Sequence, residues 1–189
     1  MPDFDMRPAR IGDLPRITAV YADAVLNGTA TYELEPPSIE EMAVRFSAIT
    51  ESGYPYLVAA RGDFVLAYAY ASAFRTRPAY RFIVENSIYV APEARGTGIG
   101  RVLMGSLIAE CERLGFRQIL AVIGDGSPSS ASVKLHERLG FRHCGTLEAT
   151  GWKHGRWLDT VLMQLSINGG RQSDPDPQSL PERRFRETR

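Results

Sequence analysis

The chain has 189 residues, 44% hydrophobic and 23% charged, which suits one globular domain with a real core and argues against wholesale disorder. Lys plus Arg and Asp plus Glu are both 22, so the formal net charge is zero and nothing in that balance draws the chain to nucleic acid or to an anionic membrane. Two cysteines make no disulfide framework, three histidines show no metal-ligand spacing, and no apolar run approaches the roughly 20 residues of a membrane span.

The first residues are charged and contain no apolar signal-peptide core, so the expected location is the cytoplasm. Residues 4–8 suit a short strand. Asp13-Leu14-Pro15 reads as a helix start with an acidic N-cap, and Ile17, Val20, Tyr21, Ala24 and Val25 follow at helical spacing until Asn27-Gly28. Residues 29–37 are an irregular connector. Ser38-x-x-Glu41 is a capping box, with Met42, Phe46 and Ile49 on the apolar face of a second helix. Strands over 56–60 and 64–73 flank an Arg-Gly-Asp turn, and the second is apolar enough to be central. After a polar loop at 75–80 comes a strand over 82–90, ended by Ala91-Pro92. A glycine-rich loop at 95–100 opens a helix carrying Leu103, Leu107, Cys111 and Leu114, with Gly115 as its C-cap. Residues 118–123 read as a strand and 130–139 as a helix stopped by Gly140. Two closing strands, 141–148 and 157–165, surround Gly151-Trp152-Lys153-His154-Gly155. The order β-α-α-β-β-β-α-β-α-β-β predicts a mixed α/β (α+β) domain over 1–167. Residues 168–189, rich in Pro, Gly and charge, are expected to be a flexible tail.

The strongest local signal is Arg95-Gly96-Thr97-Gly98-Ile99-Gly100-Arg101 between a strand and a helix. Glycines let backbone N–H groups approach a ligand, and a helix N-terminus adds unpaired donors and a positive dipole end, which together suit a pyrophosphate. From the glycines alone, a turn without ligand is an equal reading. The dinucleotide fingerprint fails because Arg101 stands where its third glycine belongs, and the P-loop fails because no Lys follows Gly100.

Arg95-x-x-Gly98-x-Gly100 resembles the Arg/Gln-x-x-Gly-x-Gly/Ala signature of the GNAT acyltransferase superfamily. The resemblance extends to residues 84–90 (VENSIYV), 132–141 (SVKLHERLGF), 151–155 (GWKHG) and Thr31-Tyr32-Glu33, which look like the phosphinothricin or methionine sulfoximine N-acetyltransferase branch. It implies a GNAT acyl-CoA N-acyltransferase fold, with a central, mostly antiparallel sheet flanked by helices. It implies acetyl-CoA as co-substrate, no metal, a small amine as acceptor, and a homodimer. The pantetheine arm would run along Ile88, Tyr89 and Val90 and the pyrophosphate would lie on Arg95, Gly96, Thr97, Gly98, Ile99, Gly100 and Arg101. Ser129 stands where the family has an Asn that contacts coenzyme A.

An ammonium has no lone pair, so acetyl transfer to an amine needs a base. Glu85 is the candidate: it interrupts an apolar strand, burial would raise its pKa, and the family carries a glutamate there. His136 occupies the position where many GNAT enzymes have a Tyr that protonates the leaving sulfur. A histidine that only packs against coenzyme A is the other reading. Arg75-Thr76-Arg77 resembles a basic pair that clamps an acid group on the acceptor, and Tyr32, Glu33, Phe74 and Tyr80 are weaker candidates for lining its pocket. Trp152 and His154 would shape the pocket or a subunit interface. Two functional alternatives keep the fold: transfer to an antibiotic, polyamine or protein N-terminus, and a non-catalytic acyl-CoA-binding module.

Overall fold

The computed structural model describes residues 4–127 and 130–187. The strands are β1 (Asp5–Pro8), β2 (Tyr56–Arg61), β3 (Phe64–Ala73), β4 (Ile83–Val90), β5 (Gln118–Gly124), β6 (Arg142–Lys153) and β7 (Arg156–Ser166). They form one sheet in the order β1-β2-β3-β4-β5-β7-β6. The helices are α1 (Leu14–Asn27), α2 (Ile39–Glu51), α3 (Ile99–Arg113), α4 (Ala131–Arg138) and α5 (Leu180–Glu187). Every adjacent strand pair is antiparallel except β4 and β5. A parallel neighbour needs a crossover, and α3 supplies it.

Alternation along the strands gives the sheet two different faces. One carries Leu57, Ala59, Ala67, Ala69, Ala71 and Val84, packed with Leu103, Met104, Leu107 and Cys111 of α3. The alanines of β3 let that helix lie close to the sheet, and Cys111 is buried there, its thiol pKa pushed up to about 12. The other face carries Tyr56, Val58, Tyr68 and Tyr89 beneath α1 and α2. Tyr56 and Tyr68 stack at 5.8 Å, Tyr56 and Tyr70 at 5.0 Å, and Tyr68 and Tyr89 at 5.1 Å.

The capping box of α2 is present: Ser38 N–H donates to Glu41 at 2.9 Å and Glu41 N–H to Ser38 Oγ at 3.2 Å. At α1 the expected acidic cap is absent. Asp13 instead accepts two bonds from Arg7, at 2.7 and 2.8 Å, and one from Arg10 N–H at 2.8 Å, which ties the helix start to β1. That guanidinium holds the Asp13 carboxyl below the usual range. The closing hairpin is longer than the sequence suggests. Residues 151–153 extend β6, and His154 and Gly155, both with positive φ, make the whole turn.

The C-terminal segment also differs from the flexible tail expected over 168–189. The nearly buried Arg117 donates to Gly170 O at 2.8 and 2.6 Å and to Ser173 O at 2.7 Å. Leu180 N–H donates to Leu114 O at 2.9 Å, and Arg81 binds Glu182 at 3.0 and 2.7 Å. Composition hid this, because among the described residues the segment is held largely by hydrogen bonds and by the Arg81–Glu182 ion pair.

Candidate active site

The parallel pair is short. Ile83 to Asn86 of β4 face Gln118 to Ala121 of β5, and beyond that β4 stays paired only with β3 while β5 stays paired with β7. The two strands therefore separate from Ser87 and Val122 onward. The β5-facing edge of Ser87 to Val90 is left as unpaired strand backbone, which is where the sequence reading puts a pantetheine arm. Ile88 and Val90 turn their side chains towards Gly100, while Tyr89 packs among Tyr21 and Tyr68 on the far face, so Tyr89 can offer such an arm only its backbone.

The glycine loop lies at the wide end of this wedge. Gly96 and Gly98 have φ of +78° and +85°, and Gly98 is the N-cap of α3. A Cβ at either position would meet no protein atom within 4 Å, so both face open space. Among the described residues no acceptor takes the amides of Gly96, Thr97, Gly98, Ile99 or Gly100. Left-handed glycines, free amides and a helix N-terminus fit a pyrophosphate. Thr97 caps the preceding turn through Ala94 O at 2.7 Å. Arg95 has a structural task here: its guanidinium pairs with Asp23 of α1 and donates to Val90 O at 3.3 Å. Arg101 is exposed beside the loop. Ser129 lies outside the described residues.

Glu85 sits where the wedge closes, half-buried, between Ser72 of β3 and Leu120 of β5. Among the described residues no hydrogen-bond partner holds it, and burial raises its pKa. It shares the tyrosine face with Ser87 and Tyr70, which are directly opposite each other across β4 and β3.

His136 is on the opposite face and is 1% exposed. Its Nδ1–H donates to Ser132 O at 2.8 Å, and its Nε2 lies 3.0 Å from Asn86 Nδ2. With Nδ1 donating to a carbonyl, Nε2 of the neutral ring accepts from the Asn86 amide. Burial lowers the pKa, against a smaller opposing effect of the Ser132 bond. Both nitrogens of a neutral ring are thus engaged. With this pairing His136 is suited to packing and positioning, its ring edge-on to Phe141 at 4.8 Å. Sequence reasoning missed Asn86, although Glu85-Asn86-Ser87 puts polar residues on both faces of an apolar strand.

Of the acceptor-side candidates, Arg75, Thr76, Arg77 and Tyr80 line a cleft of about 210 Å³ with Ile83 of β4, Phe116 and α5. Arg75 lies over the rings of Phe74 and Tyr80, at 5.1 and 5.9 Å. Tyr32 is an anchor: its hydroxyl bonds Thr160 Oγ1 at 2.8 Å, and its ring fills a slot that a Cβ at Gly124 or Gly151 would close, at 2.8 and 2.7 Å. Lys153 Nζ donates to Thr31 O at 2.8 Å and His154 to Gly28 O at 3.1 Å. The connector is thereby strapped to the β6–β7 hairpin, and Glu33 is held by Arg45 of α2 at 2.7 Å. Trp152 packs on Trp157 at 5.1 Å, both more than half exposed.

The profile of the acetyltransferase (GNAT) domain matches residues 6–162. The phosphinothricin N-acetyltransferase of Alcaligenes faecalis is 48% identical over 171 residues, covering 90% of this chain and 86% of that one. The L-methionine sulfoximine/L-methionine sulfone acetyltransferase of Pseudomonas aeruginosa is 39% identical, covering 89% and 97%. Among solved structures, a GNAT superfamily phosphinothricin acetyltransferase from Sinorhizobium meliloti in complex with AcCoA superposes with a TM-score of 0.91 at 53% identity, covering 95% and 97%.

Proposed function

The chain belongs to the GNAT acetyltransferase family and is an acetyl-CoA-dependent N-acetyltransferase, and we propose that its acceptor is the amino group of a small amino-acid analogue such as phosphinothricin or methionine sulfoximine. The observation that carries this reading is the wedge itself. Among the described residues, a free amide cradle stands at its wide end and a half-buried carboxylate without a hydrogen-bond partner at its apex.

In this reading acetyl-CoA supplies an activated acyl group. Gly96 to Arg101 hold its pyrophosphate, and the backbone of Ile88 to Val90, free of a strand partner on the β5 side, lies along its arm. Glu85 takes a proton from the acceptor ammonium, directly or through one water, so that the nitrogen lone pair becomes available. A raised pKa suits this task, since it makes the carboxylate a stronger base towards the ammonium proton than one of ordinary acidity. The Asn86–His136 bond holds α4 against β4 at the point of divergence.

The exposed Trp152 and Trp157 on the hairpin support a homodimer through that surface, which light scattering of Trp157→Lys tests by its expected shift to monomer. A cytoplasmic location goes with the supply of acetyl-CoA. The activity is tested by thiol release from acetyl-CoA with methionine sulfoximine, phosphinothricin and a panel of antibiotic amines and polyamines. Preference for an antibiotic or polyamine would replace the proposed acceptor, and release with none of the amines would refute the catalytic reading.

A further inference from the structure

The chain carries equal numbers of acidic and basic residues, yet one cleft is lined by four arginines and by no carboxylate. Arg75, Arg77, Arg81 and Arg184 stand around a volume of about 210 Å³. Two of them are already committed. Arg81 donates to Glu182 Oε1 at 3.0 and 2.7 Å and lies over the rings of Phe82 and Phe185, 4.5 Å from each. Arg184 donates to Ser52 O and lies over the Tyr54 ring at 5.5 Å. Arg75 lies over Phe74 and Tyr80, which orients the guanidinium and leaves its charge in place. Among the described residues no carboxylate pairs with Arg75 or Arg77. Residues 73–83 contain no acid at all, and of the two acids on α5, Glu182 is taken by Arg81 and Glu187 does not line the cleft.

The remaining walls are apolar, from Ile83 of β4, Phe116, and Leu180 and Phe185 of α5. Both sides of the cleft are held in place. Leu180 N–H donates to Leu114 O at 2.9 Å and the Arg81–Glu182 pair ties α5 to the loop, while Tyr80 N–H donates to Arg77 O at 2.9 Å. A preformed site costs its ligand little ordering. The volume equals about seven waters of about 30 Å³ each and lies below the roughly 300 Å³ of a drug-sized pocket, so the occupant is of amino-acid size. An inorganic anion would use the guanidiniums and waste the apolar walls. The match to the acetyltransferase (GNAT) domain ends at residue 162, so the α5 wall is an addition to the part shared with that family.

We propose that α5 completes a binding cleft for a small organic acid, whose acid group pairs with Arg75 and Arg77 and whose apolar body lies against Leu180 and Phe185. Such an acid has two sources. One is the acceptor's own acid group, in which case the proposal rests on the acetyltransferase reading above. The other is a separate acid that binds beside the reaction and modulates it.

The test is a nuclear magnetic resonance titration of the full chain with 4-methylvalerate, which has the acid and an apolar body but no amine, and with its primary amide. The acid should bind in the millimolar range and shift amide signals within 75–81 and 180–187, and the primary amide should not. Arg77→Gln should weaken the acid by about 10- to 100-fold, the usual worth of a charge-assisted hydrogen bond. Its melting temperature should stay unchanged, because Arg77 makes no ion pair among the described residues. Phe185→Ala should weaken the acid by about 10-fold through lost apolar contact. Competition separates the two sources. If the acceptor fills the cleft, phosphinothricin displaces 4-methylvalerate, and the acid inhibits thiol release competitively against phosphinothricin. If a separate acid fills it, both bind together and 4-methylvalerate changes kcat without competing. No binding of 4-methylvalerate, equal binding of its amide, shifts confined to other segments, or full affinity in both Arg77→Gln and Phe185→Ala would each overturn the proposal. Thiol release from acetyl-CoA with the amine panel would then still support the acetyltransferase reading.

Discussion

Gly98 and Gly100 look interchangeable in the sequence, and the structure separates them. Gly98 has φ +85°, so Gly98→Ala places an L side chain in the left-handed region at a cost of about 1–2 kcal/mol. Its Cβ would meet no protein atom within 4 Å, so no packing clash adds to that cost. For a domain of this size the melting temperature should fall by about 2–8 °C. The same open space is where the pyrophosphate approaches, so the methyl group should displace it from at least one amide and weaken acetyl-CoA by about 10- to 100-fold. Gly98→Val should be worse on both counts. Gly100 lies in the first turn of α3, and a Cβ there would make ordinary contacts at 3.7 Å with Ile88, Val90 and Leu135. Gly100→Ala should therefore keep acetyl-CoA affinity and add about 0.5 kcal/mol of stability through helix propensity. Calorimetric titration with acetyl-CoA and thermal melts of the two variants side by side give the answer. Wild-type affinity in a folded Gly98→Ala protein would refute the cradle. A destabilised Gly100→Ala would refute the packing argument.

Glu85→Gln should lower kcat by about 10² to 10⁴ at neutral pH and recover part of it at high pH, where solution deprotonates the amine; a rate that stays low at high pH would mean that Glu85 only positions the acceptor. Because burial raises the Glu85 pKa, the acidic limb of the wild-type kcat/KM profile should lie above the ordinary carboxylate range, with activity lost as pH falls through it. The His136 imidazole should stay neutral below its usual pKa, and nitrogen-15 spectra should show Nδ1 protonated and Nε2 bare; a protonated Nε2 at pH 7 would restore it as an acid. Truncation after Asn168 should leave the Arg117 guanidinium without its acceptors and uncover the surface beneath Leu180, a loss of about 3–5 kcal/mol and about 10 °C in melting temperature. An unchanged melt would show that the segment is as loosely attached as its composition suggests.

The element order was legible in the sequence, because each element carries its own local signal. The alternating strands, the Ser38–Glu41 box, and the left-handed glycines at 96, 98, 115 and 140 all depend on neighbours within a few residues. So did the cradle, since its amides, glycines and helix start are contiguous. Its family signature and the isolated carboxylate in β4 pointed to the chemistry before any contact was visible. What no local pattern contains is which side of the sheet a distant residue reaches. The surroundings of His136 depend on Asn86, 50 positions away, whose amide lies 3.0 Å from its Nε2. Arg95 reads as a phosphate ligand until Asp23, 72 positions away, takes its guanidinium. Arg75 and Arg77 precede β4, and the fold sets them in a cleft closed by Phe116 and α5. Tyr32 is anchored by two glycines, on β5 and β6, that make room for its ring. The sequence by itself determined the elements, the family and the cradle, all carried by short-range spacing. Only the tertiary structure decided the hydrogen-bond partners of His136, the docking of residues 168–187 and the Arg45–Glu33 ion pair. Each of these rests on hydrogen bonds and charges brought together by the chain's return to the sheet, and pairing at that range leaves no periodicity to read.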